Sequence, residues 1–339
     1  MNNSKPDYNW TVYDAEATGL GKKGEIFNKI LIEDSVFYLL GSSPGNDLSK
    51  SKSVVYKSDN YGRDWIEEYT DKGNITNGYL ASNELNLLKE IYTDNSLDNT
   101  SLSLINKDSI IHSFKINSSV KGVFMDSSGK GTLVINNSFF AKDNSVFRTQ
   151  NNFKSYDSTY VGKPIKKSYF FKDKVYLLTY ELIRENYKVR EQNELYIINK
   201  DENRDSLRIE FNTIDFIVDN EGVLFLGKEE GGITLNNIGK TGEVNTTSII
   251  RSKNLEPKKI YKHKKFIAIL SSLINESALG GFGGSEYRLH LSFDNGKTFI
   301  EEKLPIDNYV SPITFYKDEK IIIYSGAGRI SVCDLKKLD

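Results

Sequence analysis

Seven times along this chain of 339 residues, an apolar run, a tight polar turn and a second apolar run follow one another at nearly constant spacing. The segments are "ILIEDSVFYLL", "YLASNELNLL", "VFMDSSGKGTLVI", "YFFKDKVYLL", "FIVDNEGVLFL", "YKHKKFIAIL" and "TFYKDEKIIIY". Their turns centre near Asp34, Asn83, Asp126, Asp173, Asp219, His263 and Asp318, at intervals of 49, 43, 47, 46, 44 and 55 residues. Apolar strands joined by such turns read as β-hairpins. A period of 40–50 residues is that of a four-stranded propeller blade.

Each hairpin is followed by a third strand-like segment: "SVVYKSD", "LSLINKD", "SVFRTQN", "ELYIINKD", "GITLNNI", "RLHLSFD" and "RISVCDL". Six are followed by a fourth: "DWIEEYT", "IIHSFKI", "FKSYDSTYV", "SLRIEFN", "VNTTSII" and "TFIEEKL". The seventh lacks one, while an extra strand-like segment, "YNWTVYDA", precedes the first hairpin. An open blade would expose an unpaired edge. The sequence therefore predicts an all-β, seven-bladed β-propeller with four antiparallel strands per blade. Residues 1–339 form a single domain in this reading. Residues 8–15 supply the fourth strand of blade seven, whose other strands lie within 311–335.

Composition supports a β core. Tyr numbers 20 and Phe 18, and aromatic and β-branched residues favour strands. The formal net charge is −1, with 45 Lys and Arg against 46 Asp and Glu. That balance argues against a generic nucleic-acid binder, which needs a basic face. No apolar run approaches the ~18–20 residues needed to span a bilayer as a helix. The single cysteine, Cys333, excludes an internal disulfide and a cysteine-rich zinc site. The polar lead "MNNSKPD" is compatible with a cytosolic start. It is equally compatible with a replaced export signal, which would favour the periplasm or cell surface.

One turn carries a motif. In "LSFDNGKTF", Ser292, Asp294, Gly296, Thr298 and Phe299 stand at fixed offsets. "KSDNYGRDW" places Ser58, Asn60, Gly62, Asp64 and Trp65 likewise, and "RTQNNFKSY" places Thr149, Asn151, Ser155 and Tyr156, with Phe153 at the glycine position. A short carboxylate or amide can cap backbone N–H groups of its own turn, and glycine supplies a positive φ. The pattern resembles the Asp-box, or BNR repeat, of sialidases, sortilin-type receptors and a photosystem II assembly factor. The resemblance implies a structural turn between the third and fourth strands of a blade, on the face opposite the usual binding face. Phe299 and Trp65 would then pack between blades, and Trp10 holds the matching place in the N-terminal strand.

The sialidase alternative requires an arginine triad, a Tyr–Glu nucleophile pair and an acid. The Phe-Arg-Ile-Pro motif of that family is absent, and the arginines at 63, 148, 184, 190, 204, 208, 251, 288 and 329 form no evident triad. His112, His263 and His290 fall on a fourth strand, a hairpin turn and a third strand, so they do not converge on a metal. "DNSLDN" (94–99) and "DSSGKG" (126–131) do not match a calcium loop. "GGFGG" (280–284) lacks the strand–loop–helix context of a phosphate cradle. The chain is read as a non-enzyme without cofactor or metal.

What remains is a binding surface. Loops joining second to third strands share one face with the inter-blade loops and tolerate insertion. Blade four carries "YELIRENYKVREQNEL" there, read as a long protruding hairpin, and blade six carries "SSLINESALGGFGGSEYR". Arginine and aromatic residues dominate interface hot spots. Arg184, Tyr187 and Arg190 of blade four and Phe282, Tyr287 and Arg288 of blade six are therefore the expected anchors for a protein partner. Glu185, Lys188 and Glu191 would lie at the rim. The expected function is a monomeric interaction or assembly module, with a bacterial toxin-neutralising immunity protein as one form of it. A carbohydrate-binding lectin or divergent glycosidase is the alternative.

Overall fold

A computed structural model of the chain describes residues 10–21, 24–81, 84–92, 100–106, 109–115, 119–126, 128–136, 144–185, 188–199, 204–239, 243–250, 252, 254–273, 286–304, 310–316, 320–325 and 328–335. These residues form seven four-stranded antiparallel sheets. Blade one comprises β2 (Ile26–Glu33), β3 (Val36–Ser43), β4 (Lys52–Ser58) and β5 (Ile66–Lys72). Blade two follows with β6 (Asn74–Ala81), β7 (Glu84–Tyr92), β8 (Thr100–Asn106) and β9 (Ser109–Lys115). Blade three has β10 (Ser119–Met125), β11 (Gly131–Asn136), β12 (Ser145–Thr149) and β13 (Asp157–Tyr160). Blade four has β14 (Ile165–Phe171), β15 (Lys174–Glu185), β16 (Lys188–Ile198) and β17 (Arg204–Ile209). Blade five has β18 (Thr213–Val218), β19 (Gly222–Glu229), β20 (Gly232–Gly239) and β21 (Val244–Ile250). Blade six has β22 (Leu255–His263), β23 (Phe266–Leu273), β24 (Glu286–Ser292) and β25 (Ile300–Lys303). Blade seven has β26 (Val310–Tyr316), β27 (Lys320–Ser325) and β28 (Arg329–Asp334), and β1 (Trp10–Tyr13) is its fourth strand.

The first strands touch one another in sequence, from β2 through β6, β10, β14, β18 and β22 to β26, and β26 returns to β2. They therefore encircle the axis, and the ring is closed. Closure comes from the register Trp10↔Cys333 through Tyr13↔Ile330. The strand stops at Tyr13, two residues before the expected limit at Ala15. Asp14 ends it by accepting hydrogen bonds from the amides of Glu16 and Ala17, which start a four-residue helix, α1 (Ala15–Thr18). Tyr8 lies outside the described residues.

The core is divided among the blade interfaces. Among the described residues seven apolar clusters occur, one between each pair of neighbouring blades. Between blades seven and one, Phe27 meets Tyr324 edge-on at 4.8 Å between ring centroids, and Phe37 meets Tyr316 at 5.2 Å. Trp65 belongs to the same cluster. Partly buried Trp10 and Phe299 pack against the clusters of the six–seven and five–six interfaces. Alternating side chains of the inner strands enter opposite interfaces, as the two-residue strand period requires, whereas outer strands such as β5 and β17 are mostly exposed. Both faces of the inner strands are thus covered, and for that reason those strands read as near-continuous apolar runs.

Candidate functional site

The three motif turns have one geometry. In 292–299, Ser292 Oγ accepts from Gly296 N at 2.8 Å, and Asp294 Oδ1 accepts from Lys297 N at 3.0 Å and Thr298 N at 2.9 Å. In 58–65, Gly62 N donates to Ser58 Oγ at 3.0 Å and Asp64 N to Asn60 Oδ1 at 2.9 Å. In 149–156, Phe153 N donates to Thr149 Oγ1 and Ser155 N to Asn151 Oδ1, both at 2.9 Å. The glycine position holds φ of 82° at Gly62, 88° at Gly296 and 61° at Phe153, each preceded by another left-handed residue. Phe153 accepts this costly conformation because its ring is fully buried between blades two and three. The amides and the Thr298 hydroxyl hold the Asp294 carboxyl down at a pKa of about 2. Its acceptors are spent on its own turn, which gives Asp294 a capping role.

Other chemistry-bearing groups are inward-facing. Ser271 Oγ lies 2.7 Å from His290 Nε2, and Glu301 approaches Nδ1 at 3.9 Å. The trio has the composition of a nucleophile, base and orienter. Ser271 and His290 are both 0% exposed, however, so no substrate reaches them. Burial pushes the His290 imidazole down to a pKa of about 4, and it stays neutral. Among the described residues, no cluster of three or more His, Cys, Asp or Glu residues is arranged to hold a metal ion. Cys333 is buried, and desolvation pushes its thiol up to about 12.

The expected blade-four projection is present. β15 and β16 pair as far as Glu185↔Lys188, whereas β14 leaves β15 at Thr179 and β17 leaves β16 at Asn193. The outer part of the hairpin is therefore a two-stranded ribbon beyond the blade. It is rooted by Lys166 Nζ, which reaches Glu191 Oε1 at 2.6 Å. Leu182 is 61% exposed and Val189 57%, and Arg184 and Arg190 are exposed. The register places Arg184 opposite Val189 and Arg190 opposite Ile183. Since neighbouring residues face opposite ways, Arg184 lies with Leu182 and Val189, and Arg190 on the other side. In blade six, Arg288 Nε approaches Glu301 Oε1 at 3.4 Å, and Tyr287 packs against the six–seven cluster. Tyr187 and Phe282 lie outside the described residues.

Two further features escaped sequence reasoning. A groove of about 270 Å³ between blades three and four is lined by Phe124, Phe170, Arg148, Tyr156 and Asp157. Phe124 stacks on Phe170 at 5.9 Å yet remains 44% exposed. The second feature is a register shift near the start of every first strand, leaving Asn28, Thr76, Lys121, Lys166, Ile214 and Lys258 without a partner, and in blade seven falling at 311–312. These are bulges, which re-aim side chains. Asn28 Nδ2 donates to Ile75 O and Lys166 Nζ to Thr213 O, both at 2.7 Å, so in each case the bulged residue bonds a carbonyl 47 residues further on, in the next blade. The next residues are also linked: Lys29 Nζ bonds Asn77 Oδ1 at 2.6 Å and Gly78 O at 2.7 Å, while Lys167 bonds Asp215, which accepts from Ile260 N at 3.0 Å.

No family model and no curated protein matches the chain. Solved structures do. YCF48 bound to a D1 peptide is 11% identical over 96% of both chains, with a TM-score of 0.61. YCF48 from Cyanidioschyzon merolae is 10% identical over 96% of this chain and 98% of that one, at 0.62. The propeller domain of the Trilobed protease from Pyrococcus furiosus is 10% identical over 88% of each, at 0.58. BBS1N in complex with ARL6DN gives 0.53 at 11% identity. Peptidase and dehydrogenase-like propellers are also similar, among them a Pyrococcus horikoshii acylaminoacyl peptidase of which the chain covers 49%. At such identities the likeness establishes the propeller fold.

Proposed function

We propose that this chain is a non-enzymatic protein-binding propeller, and that its partner docks on the face carrying the blade-four ribbon. The ribbon carries this reading. It presents Leu182 and Val189 to solvent beside Arg184, on a hairpin that extends beyond both neighbouring strands. Exposed apolar residues beside an arginine have the composition of an interface anchor. The remaining anchors are Tyr187, Arg190, Phe282, Tyr287 and Arg288. The likeness to a YCF48 that binds a D1 peptide and to a BBS1N that binds ARL6 supports a protein as the partner class. Within that class, neutralising a toxin is a narrower form, in which the co-purifying partner would be an enzyme inhibited on binding.

We read the turns at 58–65, 149–156 and 292–299 as Asp-boxes that serve the fold, leaving the opposite face for binding. The test is affinity capture from the native host with wild type, Leu182→Asp and the opposite-face variant Lys297→Ala. A specific partner retained by wild type and Lys297→Ala and lost by Leu182→Asp is expected. Equal capture by all three would put the site elsewhere. The groove between blades three and four favours a second reading, because exposed Phe124 and Tyr156 offer rings on which a sugar could stack. Saturable glycan binding that disappears in Tyr156→Ala would establish it.

A further inference from the structure

The bulged ends of the first strands gather charge at one mouth of the axial channel. A propeller encloses a central channel, and here its wall is the ring of first strands. Bulge and post-bulge positions carry Lys29, Lys121, Lys166, Lys167, Lys258 and Lys259, from blades one, three, four and six, against the single acid Asp215. All lie at equivalent heights, because the bulge falls at the same place in each blade. Lys258 and Lys259 are exposed although they stand on an innermost strand, so this mouth is open to solvent.

Three of the six are neutralised within the chain: Lys166 by Glu191, Lys167 by Asp215 and Lys258 by Glu256. The other three are not. Lys29 meets only the neutral oxygens of Asn77 and Gly78. Among the described residues, neither Lys121 nor Lys259 has a hydrogen bond or ion pair to a carboxylate. Desolvation by burial lowers all three pKa values, that of Lys29 to about 8; at Lys259 repulsion from Lys167 exceeds attraction to Asp215, a carboxylate that Lys167 already engages. Partly desolvated cations without a direct ion pair cost stability. Elsewhere this chain pairs its half-buried lysines, as Lys163 with Glu194 and Lys262 with Asp219.

We propose that this channel mouth binds a compact polyvalent oxyanion, a small molecule carrying two or more phosphate or carboxylate groups, through Lys29, Lys121 and Lys259. The three lysines come from blades one, three and six, so positive charge converges from several sides of the axis. A ligand that satisfies all of them presents negative charge in several directions within a small radius. An extended segment laid across the face would meet one side only. The site does not depend on the ribbon's having a protein partner.

The experiment is calorimetric titration of the intact protein with tripolyphosphate and, in a second arm, citrate, at low ionic strength and again near ~0.15 M salt, where exposed charges are screened. One saturable site is expected, weakened about tenfold by Lys121→Met or Lys259→Met, the loss that follows removal of one charge-assisted contact. Lys297→Met on the opposite face leaves it unchanged. Tighter binding of tripolyphosphate assigns phosphate as the natural group, and tighter binding of citrate assigns carboxylate. The unliganded variants should melt no lower than wild type, since each removes an unpaired cation. In wild type, where no variant needs to fold, tripolyphosphate should protect Lys29, Lys121 and Lys259 from acetylation, mapped by peptide mass. Failure of both anions to saturate, binding as tight in Lys121→Met and Lys259→Met as in wild type, or absence of protection at these lysines would overturn the proposal.

Discussion

Replacing Trp65 by alanine tests whether the motif turns act by wedging blades apart at a fixed spacing. Trp65 follows the 58–64 turn and is 7% exposed, and its indole enters the cluster shared by blades seven and one. Its Nε1–H donates to Gly62 O at 2.9 Å, so the ring also ties down the left-handed glycine of its own turn. Large-to-small core changes of this kind cost about 3–5 kcal/mol. A chain of this length has an unfolding entropy near 0.7 kcal/mol/K, so the melting temperature should fall by about 4–7 °C. Trp65→Phe separates the two contributions. It keeps most of the apolar volume and removes only the donor to Gly62 O, at about 1 kcal/mol. Urea unfolding followed by circular dichroism would measure both, with an unchanged slope confirming that the same surface is exposed. A loss below about 1 kcal/mol for Trp65→Ala, against the 3–5 expected of a core deletion, would refute the wedge.

The buried imidazole of His290 makes stability depend on acid. Its folded pKa of about 4 lies below the ordinary 6.5, so its contribution is complete above pH 6.5 and is lost as pH falls towards 4. Over that window it should amount to about 3 kcal/mol; the same pH series on His290→Gln should lose this part of the slope, and an unchanged slope would refute the assignment. Asp215→Ala strands Lys167 and the Ile260 amide together and should cost about 3–5 kcal/mol; Lys167→Met in that background should add far less than it does alone. Gly296→Ala forces a methyl-bearing residue to φ 88° with Ile267 Cδ1 at 3.2 Å and should cost about 1–2 kcal/mol, read as a shift of the denaturation midpoint. Aryl sialosides and β-glucans should show no turnover above a buffer blank, and turnover abolished by an Arg184, Arg288 or Arg329 substitution would reverse the functional class.

The architecture was legible because every blade buries both faces. Continuous apolar strands punctuated by Asp, Asn or Gly turns leave a strong periodic trace, and the missing fourth strand pointed to "YNWTVYDA". Its end was misplaced because Asp14 caps a helix whose single turn has no apolar period of its own. The motif turns were legible for a similar reason: Ser292, Asp294 and Gly296 act on their own backbone, so their roles are local. The channel mouth was not. A bulge shifts the alternation of facing by one residue, and Lys29, Lys121 and Lys259 read along the chain as ordinary surface lysines. Only stacking the seven hairpins from their turns backwards would have set them side by side. Which side of the ribbon Arg184 and Arg190 occupy was equally illegible, because it follows from the register of β15 against β16.

The pairing of β1 with β28 also has a consequence for how the chain reaches its native state. Trp10 and Cys333 are 323 positions apart, so this pairing is the least local strand contact among the described residues. Such contacts are slow, because chain closure must be completed before any pairing rewards it. During synthesis residues 10–13 emerge before all seven blades and wait for the last of them. Once β28 has formed, its outer edge and the place of Trp10 against the six–seven cluster stay open to a neighbouring chain until β1 pairs. A second copy could donate its own 10–13 strand there, so the misassembly expected of this topology is exchange of the clasp between copies.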